Sequence, residues 1–488
     1  MRHDKQHKPA CVLLAVLVSL CIGFSSCSVF VQPEPSTSAP TSAATTSGAP
    51  AASTTAEETT AATTTAAATT TAPPSTSAAA TVTDAPPVPP VPPAEYKPIE
   101  AQAVEDLPAP VSEAPAAGGA ALDCSPGPLA YTPIPPAQYY AYNQLTAAQQ
   151  GVYKEMRAYV EDMQPGGYIQ QQCEDDDLLR AYQALLTDYP QFFWLSHSFV
   201  YGFEDSKRIV YFQLENRRYG VDYICAKEQA LDIAARMKTK IAGIFKAMGP
   251  GLTEYERELY LHDWICANTQ YEDRAVADAD GYLYAFSSYG VFINGLAVCE
   301  GYSRALQLLL YYAGIQSTLV TGHTLRLTGR PDYSSHHMWN IVKINGVWGY
   351  TDSTWADDGI QVGGASHTAY RWFNIPESEL EYDHAIDHPF PLPAAESLDN
   401  TWFAVNGRML PDGEPADAFI KELIVGTANG GGQYAEMLSA APGAVNAQRL
   451  GWTINTFASR AQLNAELESA IGRVFIERRS ARYCLVYW

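Results

Sequence analysis

The chain has 488 residues and a formal net charge of −22 at pH 7, and 47% of its residues are hydrophobic. A chain of this length can bury a large core and divide into several domains. Its strong acidity disfavours phosphate backbones and anionic lipid headgroups, so we expect no nucleic-acid partner.

The N-terminus has the composition of a secretory signal. Three basic residues, Arg2, Lys5 and Lys8, precede an apolar run over residues 10–24, which is too short to cross a bilayer comfortably. The following Ser-Ser-Cys27 resembles a bacterial lipobox, in which the cysteine is lipidated after cleavage, although Phe24 stands where leucine is commoner. We predict a signal peptide at 1–26 and a lipid on Cys27, which would hold the protein on the outer face of a bacterial cell membrane. Simple secretion is the alternative.

Residues 27–125 are rich in Thr, Ala, Ser and Pro and contain few large apolar side chains. Such a composition cannot bury enough apolar surface to fold, and it predicts a disordered linker. A proline-rich extended chain spans about 3.1 Å per residue, so this length suits a spacer through a cell wall.

Residues 126–250 are predicted to form an N-terminal α/β extension. The patterns indicate helices at Gln144–Met163, Asp175–Leu186 and about Ala226–Ala247, and strands at Asp188–Leu195 and Arg208–Leu214.

Cys299 is predicted to open a helix. Leu306, Leu309 and Leu310 follow at helical spacing, and Gly314 fits the residue that ends such a helix. Unpaired N–H groups and the positive end of the helix dipole favour a thiolate, so we expect a lowered thiol pKa and a backbone N–H that could serve an oxyanion. A buried, inert thiol is the alternative.

Asn345-Gly346 lies between two apolar-rich runs and is a strong signal for a hairpin. With these two residues as the loop, Trp339 faces Asp352, and His337 lies on the same face of the sheet as Asp352. A diagonal pair of this kind has Cα atoms roughly 7–8 Å apart, within reach of an imidazole and a carboxylate. Asp352 could then fix the imidazole tautomer while the other ring nitrogen addresses the thiol. Solvated strand positions, or a bulge that changes the register, are the alternative.

These segments resemble the core of the transglutaminase-like superfamily of papain-type cysteine enzymes. The matching motifs are Val298-Cys299-Glu300-Gly301-Tyr302, His337-Met338-Trp339-Asn340, Trp348 to Asp352-Ser353-Thr354-Trp355, and upstream Leu261-His262-Asp263-Trp264 with Tyr271-Glu272. The resemblance covers roughly residues 188–360. It implies Cys299 as the nucleophile, His337 as the general base and acid, and Asp352 as the orienting carboxylate. Met338 stands where alanine is usual and Thr351 where valine is common; neither change removes a catalytic group.

The resemblance implies an α+β fold in which a nucleophile helix packs on an antiparallel sheet, and we place this catalytic core at 251–392. Residues 393–488 are predicted to form a small C-terminal α/β domain. Its predicted elements are a strand near Trp402–Val405, helices near Ala416–Ile424 and Arg460–Ile471, and a last strand at Tyr483–Tyr487.

Other ionisable residues near the motifs have structural interpretations. His336 should point away from His337, His262 and Asp263 should pack and cap, and His323 is expected to be structural. No Cys-x-x-Cys or His-Glu-x-x-His spacing occurs, so we expect neither a metal nor a cofactor. Five further cysteines beyond the signal, at no framework spacing, allow one disulfide or none: Cys124, Cys173, Cys225, Cys266 and Cys484.

The sequence therefore predicts an extracellular thiol enzyme that attacks an amide carbonyl and forms a thioester. Resolution by water gives a protease or amidase, and resolution by an amine gives crosslinking; the residues do not select between them. The tether favours protein or cell-wall peptide substrates. A surface binding module that keeps this fold without turnover is the alternative from a different class.

Overall fold

The structure is a computed structural model, and it describes residues 139–204, 207–214, 221–325, 331–357, 359–362, 364–410, 434–439, 475–478 and 482–487, with shorter pieces at 81–83, 100–103, 419, 422–424, 426–427 and 432. All described residues belong to one compact unit, within Ser77–Trp488. The predicted signal peptide, Cys27 and most of the predicted linker lie outside the described residues. Within these ranges, no helix is long and apolar enough to cross a membrane.

The described helices are α1 (Ala147–Glu161), α2 (Asp175–Asp188), α3 (Lys227–Met248), α4 (Glu254–Asn268), α5 (Asp273–Ala277), α6 (Cys299–Tyr312), α7 (Ser353–Ala356), α8 (Glu377–Leu380) and α9 (Trp402–Val405). Three 3-10 turns, at Tyr142–Gln144, Asp280–Phe286 and Tyr370–Trp372, and a π turn at Gly290–Asn294 connect them.

The described strands are β1 (Thr81–Thr83), β2 (Glu100–Ala103), β3 (Gly166–Ile169), β4 (Ser198–Glu204), β5 (Lys207–Tyr211), β6 (Gln270–Tyr271), β7 (Leu296–Ala297), β8 (Ser317–Leu325), β9 (Pro331–Ile344), β10 (Val347–Thr351), β11 (Ile360–Val362), β12 (Ala365–His367), β13 (His384–Ile386), β14 (Met409–Leu410), β15 (Tyr434–Ser439), β16 (Phe475–Arg478) and β17 (Tyr483–Tyr487). The larger sheets have the orders β10-β9-β8-β13, β2-β4-β5-β3 and β1-β16-β17-β15-β14.

The N-terminal extension contains the predicted helices as α1, α2 and α3, and the predicted strand near residue 210 as β5. The predicted strand at Asp188–Leu195 is wrong. α2 continues to Asp188, and two tight turns follow, in which Phe192 N donates to Tyr189 O and Leu195 N donates to Phe192 O, each at 3.0 Å. The segment is continuously apolar because its aromatic rings pack on one another in the core. Turns can bury such a run of side chains as well as a strand can, so the pattern does not distinguish them.

The central unit packs α6 against β8 and β9 of the four-stranded antiparallel sheet. Every residue of α6 from Cys299 to Tyr311 is buried, so other elements cover the helix on its remaining sides. Gly314, with φ of 75°, ends it: Gly314 N donates to Tyr311 O and Ile315 N donates to Leu310 O, the Schellman arrangement. The predicted helix is confirmed at both ends, and the fold is α+β.

The C-terminal part differs from expectation at one described element. Residues 402–405 form the short helix α9 and not a strand, because the Thr401 hydroxyl accepts the N–H of Ala404 at 3.2 Å and caps a helical turn. The predicted last strand is confirmed as β17. The helices predicted near 416–424 and 460–471 lie largely or wholly outside the described residues.

Two short stretches of the predicted linker are strands. β1 pairs in parallel with β16, and β2 pairs in parallel with β4. The rest of residues 27–125 lies outside the described ranges, and the domain boundaries stay predictions.

Candidate active site

Cys299 is the first residue of α6, after the N-cap residue Val298, and its side chain is fully buried beside Leu319 and Met338. Ser303 lies one turn further along α6. Its hydroxyl lies 2.9 Å from both Cys299 O and Met338 O, and its hydrogen is shared between these two carbonyl oxygens. The start of the helix is therefore attached to strand β9.

The predicted hairpin is present in the predicted register. Ile344 pairs with Val347 and Asn340 pairs with Thr351, and the loop residues Asn345 and Gly346 both have positive φ, 51° and 84°, as a type I′ turn requires. Asn340 Nδ2 donates to Ser303 O at 3.0 Å and adds a second bond between β9 and α6. The strand that carries His337 and the helix that begins with Cys299 are thus joined by side chains as well as by packing.

His337 and Asp352 meet as the hairpin predicts: His337 Nε2 lies 2.6 Å from Asp352 Oδ2, and both side chains are fully buried. Asp352 also caps α7, because its Oδ1 accepts the N–H groups of Thr354 at 2.9 Å and Trp355 at 3.1 Å. Burial opposes ionisation of Asp352, but the neighbouring His337 and the hydrogen bonds hold the pKa of this carboxyl well below its ordinary value. Asp352 is an anion at neutral pH.

His337 is a neutral imidazole in this arrangement. Burial lowers its pKa below the ordinary value, and the attraction of Asp352 offsets this only in part. Because the carboxylate can only accept, the proton of the neutral ring lies on Nε2. The other ring nitrogen, Nδ1, is buried and has no hydrogen-bond partner among the described residues. His337 therefore has an unprotonated nitrogen available as a base.

The expected thiolate at Cys299 is wrong for this structure. Burial raises the pKa of the Cys299 thiol, although the backbone N–H groups of Met338 and Glu300 act in the opposite direction. The dipole at a helix start amounts to about half a unit charge, and complete removal of the thiolate from water outweighs it. The site rests as a thiol beside a neutral imidazole.

His384, on the edge strand β13, completes the site and was missed from the sequence. Its Nε2 lies 3.1 Å from Asp352 Oδ2, and its Nδ1 lies 2.6 Å from Asp383 Oδ1. It is fully buried and packs against the ring of Trp355, with centroids 4.4 Å apart. The adjacent residues Asp383 and His384 were the only local hint of this site in the sequence. His384 comes close to Asp352 only because β13 pairs with β8.

His337, Asp352 and His384 also meet the distance requirement for a metal site, since their ligand atoms lie within 4.8 Å of one another. Both imidazoles, however, direct Nε2 at Asp352 Oδ2, so the nitrogens that would bind an ion already hydrogen-bond to the carboxylate. The donors fit a hydrogen-bonded His-Asp-His row better than a coordination shell.

Glu300 follows the candidate nucleophile and is fully buried in an ionic cluster. His197 Nε2 lies 2.6 Å and Arg304 Nε 2.7 Å from Glu300 Oε1. A cavity of about 420 Å³ lies beside this cluster, between the extension and the 3-10 turn at Asp280–Phe286; Cys299 is not among the residues that line it. The cluster therefore ties the extension to the first turn of α6, and the negative charge of Glu300 contributes to the raised pKa of the neighbouring Cys299 thiol.

The remaining candidates have the expected structural surroundings. His262 is buried in α4 with Nδ1 3.0 Å from Asp263 Oδ1, and His323 Nε2 lies 3.5 Å from Asp387 Oδ2. His336, next to His337 on β9, pairs with His323 and is only partly buried. Five cysteines of the described ranges are free thiols: Cys173, Cys225, Cys266, Cys299 and Cys484. Cys124 lies outside them.

Residues 244–353 match the model of the transglutaminase-like superfamily. The match ends just past Asp352 and includes Cys299 and His337. This part of the chain is therefore similar to the transglutaminase-like core, as the motifs predicted.

Two curated proteins are similar to part of the chain. Kyphoscoliosis peptidase of Homo sapiens is 29% identical over 136 residues, and the same protein of Mus musculus is 28% identical over 136 residues. Each match covers 26% of this chain and 20% of the relative. The chain thus spans about a fifth of the length of these relatives. A solved structure described as the crystal structure of a TGase is 15% identical, covering 36% of this chain and 54% of its own, with a TM-score of 0.23.

Proposed function

We propose that this protein is a cysteine enzyme that attacks amide bonds of proteins or peptides through a thioester on Cys299. The observation that carries the proposal is the His337 imidazole, held by Asp352 through Nε2 with Nδ1 unpartnered within the described structure. Its neighbour Met338 donates its backbone N–H to Cys299, so the base and the thiol belong to one small, buried site.

The chemistry follows from these protonation states. His337 Nδ1 takes the thiol proton as Cys299 Sγ bonds to the amide carbon, and Asp352 stabilises the imidazolium that forms. When the C–N bond breaks, His337 returns the proton to the leaving amine, which leaves a thioester on Cys299. Water or a second amine, deprotonated by His337, then attacks the thioester and releases the thiol. His337 acts here as a general base on a neutral thiol, because the resting pair is uncharged.

Hydrolysis and transfer to an amine share every step up to the thioester. The name of the kyphoscoliosis peptidases favours hydrolysis as the first activity to assay. Those proteins match over a fifth of their length, so this support extends to the class of reaction only.

We propose further that the enzyme works at a bacterial cell surface, lipid-anchored at Cys27, on protein or cell-wall peptide substrates. Support comes from the basic and apolar N-terminus, the lipobox-like Ser-Ser-Cys27 and the long linker that follows. Replacing Cys27 by alanine should release the protein from membranes. Detergent partitioning equal to that of the parent would contradict the anchor.

The enzymatic proposal is tested on the full chain by an iodoacetamide probe, peptide-amide hydrolysis and incorporation of a fluorescent amine. Cys299→Ala should abolish turnover and the probe label that peptide mapping assigns to residue 299, while Cys173→Ala, which replaces a buried thiol of the extension, should keep both. Turnover unchanged in Cys299→Ala would overturn the assignment. A parent with no turnover in either assay would favour the binding module.

A further inference from the structure

The Asp352 carboxylate has its hydrogen-bonding capacity filled. Oδ1 accepts two backbone N–H groups at the start of α7, and Oδ2 accepts from His337 at 2.6 Å and from His384 at 3.1 Å. A carboxylate offers about four lone-pair sites, so Asp352 is saturated as an acceptor. His384 supplies the fourth donor.

His384 is itself held from its other side. Its Nδ1 lies 2.6 Å from Asp383 Oδ1, while Asp383 Oδ2 forms an ion pair with Arg371 at 2.6 Å and accepts the indole N–H of Trp372 at 3.3 Å. Both partners of the His384 ring are carboxylates, which only accept, so both of its nitrogens must carry protons. The hydrogen bonds alone make His384 an imidazolium.

Two further observations agree with a cation. Burial disfavours the charge, but Asp383 and Asp352 raise the pKa of His384 to about 9. The ring also packs against two indoles, with centroids 4.4 Å from Trp355 and 4.9 Å from Trp339, a setting that favours a cation. Arg371, Asp383, His384 and Asp352 thus form a row of alternating charges that sums to zero.

We propose that His384 is a positioning residue for the reaction: as an imidazolium held by Asp383, it anchors Asp352 Oδ2 and keeps His337 neutral and ready to accept the thiol proton. The inference rests on the proposed function. The ring centroids of His337 and His384 are 5.3 Å apart, and the positive charge of His384 disfavours a second charge on His337. Asp352 would alone attract a proton to His337, and His384 counters that attraction.

The titratable groups around the two imidazoles come from each neighbouring element. They are Asp352 after β10, Asp383 before β13, Arg371 of the 3-10 turn, Cys299 of α6 and Cys266 of α4. The two thiols interact electrostatically with Asp352. Asp352, whose pKa is held well below its ordinary value, keeps its charge through the range in which His337 titrates, so the acidic limb of a pH profile reports His337.

The test separates anchoring from charge with two substitutions. The side-chain amide of His384→Gln can still donate to Asp352 but carries no charge, and His384→Leu removes both. In His384→Gln, the acidic limb of Cys299 alkylation by iodoacetamide, and of kcat/KM, should shift to higher pH by about half a unit to one unit. His384→Leu should show the same shift and lose in addition about tenfold to a hundredfold in kcat, because Asp352 is no longer held. If His384 had only a structural role, its substitution would lower the folded fraction of the protein without moving the acidic limb of the pH profile.

His388→Gln is the matched control, since His388 is a partly buried histidine four residues away that accepts the backbone N–H of Thr321 at 3.4 Å and packs against Phe390. Its profile should superimpose on that of the parent. His384→Asn provides a second route if the other His384 variants do not fold, because it also removes the charge and has a smaller side chain; it should shift the acidic limb in the same direction. An unmoved limb in His384→Gln, or in His384→Asn where the former is unfolded, would overturn the proposal.

The parent provides an independent readout. Nitrogen-15 spectra of labelled histidine at pH 8 should show a doubly protonated ring that is absent in His384→Gln, and a parent spectrum without that signal would also overturn the proposal. If peptide amides are not turned over but the alkylation limb shifts as stated, the proposed function fails and the positioning role stands.

Discussion

Thr351 donates its hydroxyl hydrogen to Glu258 Oε1 at 3.1 Å, one residue before the carboxylate that binds His337. Asn374 Nδ2 donates to the other oxygen of Glu258 at 2.6 Å. Glu258 is fully buried, and burial raises its pKa to about 8 despite these bonds. A carboxyl that prefers to stay protonated therefore supports the end of β10, behind the candidate active site.

Glu258 should make the protein less stable as the pH rises. An unfolded Glu ionises near 4.5 and the folded one near 8, so the unfolded state gains relative stability as the pH rises between these values. Glu258→Gln should remove this loss and raise the free energy of unfolding at pH 9 by roughly 1–3 kcal/mol relative to the parent. Urea titrations at pH 5 and pH 9 measure it, with the exposed Glu228→Gln on α3 as the control. Equal pH dependence in parent and Glu258→Gln would contradict the burial argument.

Met338 should slow the reaction of Cys299 with electrophiles. It packs on the thiol, and burial is the first cause of the raised thiol pKa. Met338→Ala should admit water, lower the pKa of the thiol and speed alkylation at pH 7 by about tenfold, the effect of one pKa unit. After the acidic limb that reports His337, the parent rate should rise a second time above pH 9, where the thiol itself ionises. Met237→Ala, which opens space in α3 away from the site, should leave the rate unchanged; a parent rate without this second rise would refute the raised pKa.

Asp352→Asn should impair catalysis even in the molecules that stay folded. Asparagine still caps α7, but it leaves the buried charge of His384 with one carboxylate fewer, so the free energy of unfolding should fall by about 3–5 kcal/mol. Turnover should fall about 10³- to 10⁴-fold, because an amide stabilises the wrong tautomer of His337 and no longer balances its charge. Asp357→Asn, whose carboxylate accepts from the Tyr302 hydroxyl, is the control. A loss below tenfold in Asp352→Asn would remove the carboxylate from the mechanism.

Arg304→Met should lower the free energy of unfolding, because it leaves the buried charge of Glu300 with one basic partner fewer. Arg304 is one of two basic partners of this buried carboxylate, and breaking a buried pair costs about 3–5 kcal/mol. The double variant Glu300→Leu with Arg304→Met should recover most of that loss, since no unpaired charge remains. Arg236→Met breaks the exposed pair with Asp232 and should cost at most about 1 kcal/mol. Equal losses in the single and double variants would show that packing, and not charge, dominates.

The local parts of the site could be predicted because short-range rules determine them. Asn345-Gly346 specifies a two-residue turn, and that turn specifies which residues of β9 and β10 share a face, so the meeting of His337 with Asp352 follows from sequence alone. The start of α6 was equally accessible, since its leucine spacing and terminal glycine are local signals.

The remaining features depend on tertiary structure. The raised pKa of Cys299 comes from its complete burial, which no local pattern reports. His384 reaches Asp352 only because β13 pairs with the far side of β8. The errors at 188–195 and 402–405 have the same origin, since a run of apolar residues that fills an aromatic core can be a turn, a strand or a short helix.

The position of β13 at the edge of the sheet has a consequence for the order of assembly. During synthesis the ribosome releases Cys299, His337 and Asp352 within one continuous helix-and-hairpin segment, which can pair through local contacts. His384 emerges later, and Asp352 gains its last donor only when β13 docks on β8. A nascent chain that ends before His384 should therefore hold a folded hairpin and an incomplete base, so that the onset of thiol chemistry is timed by the docking of an edge strand.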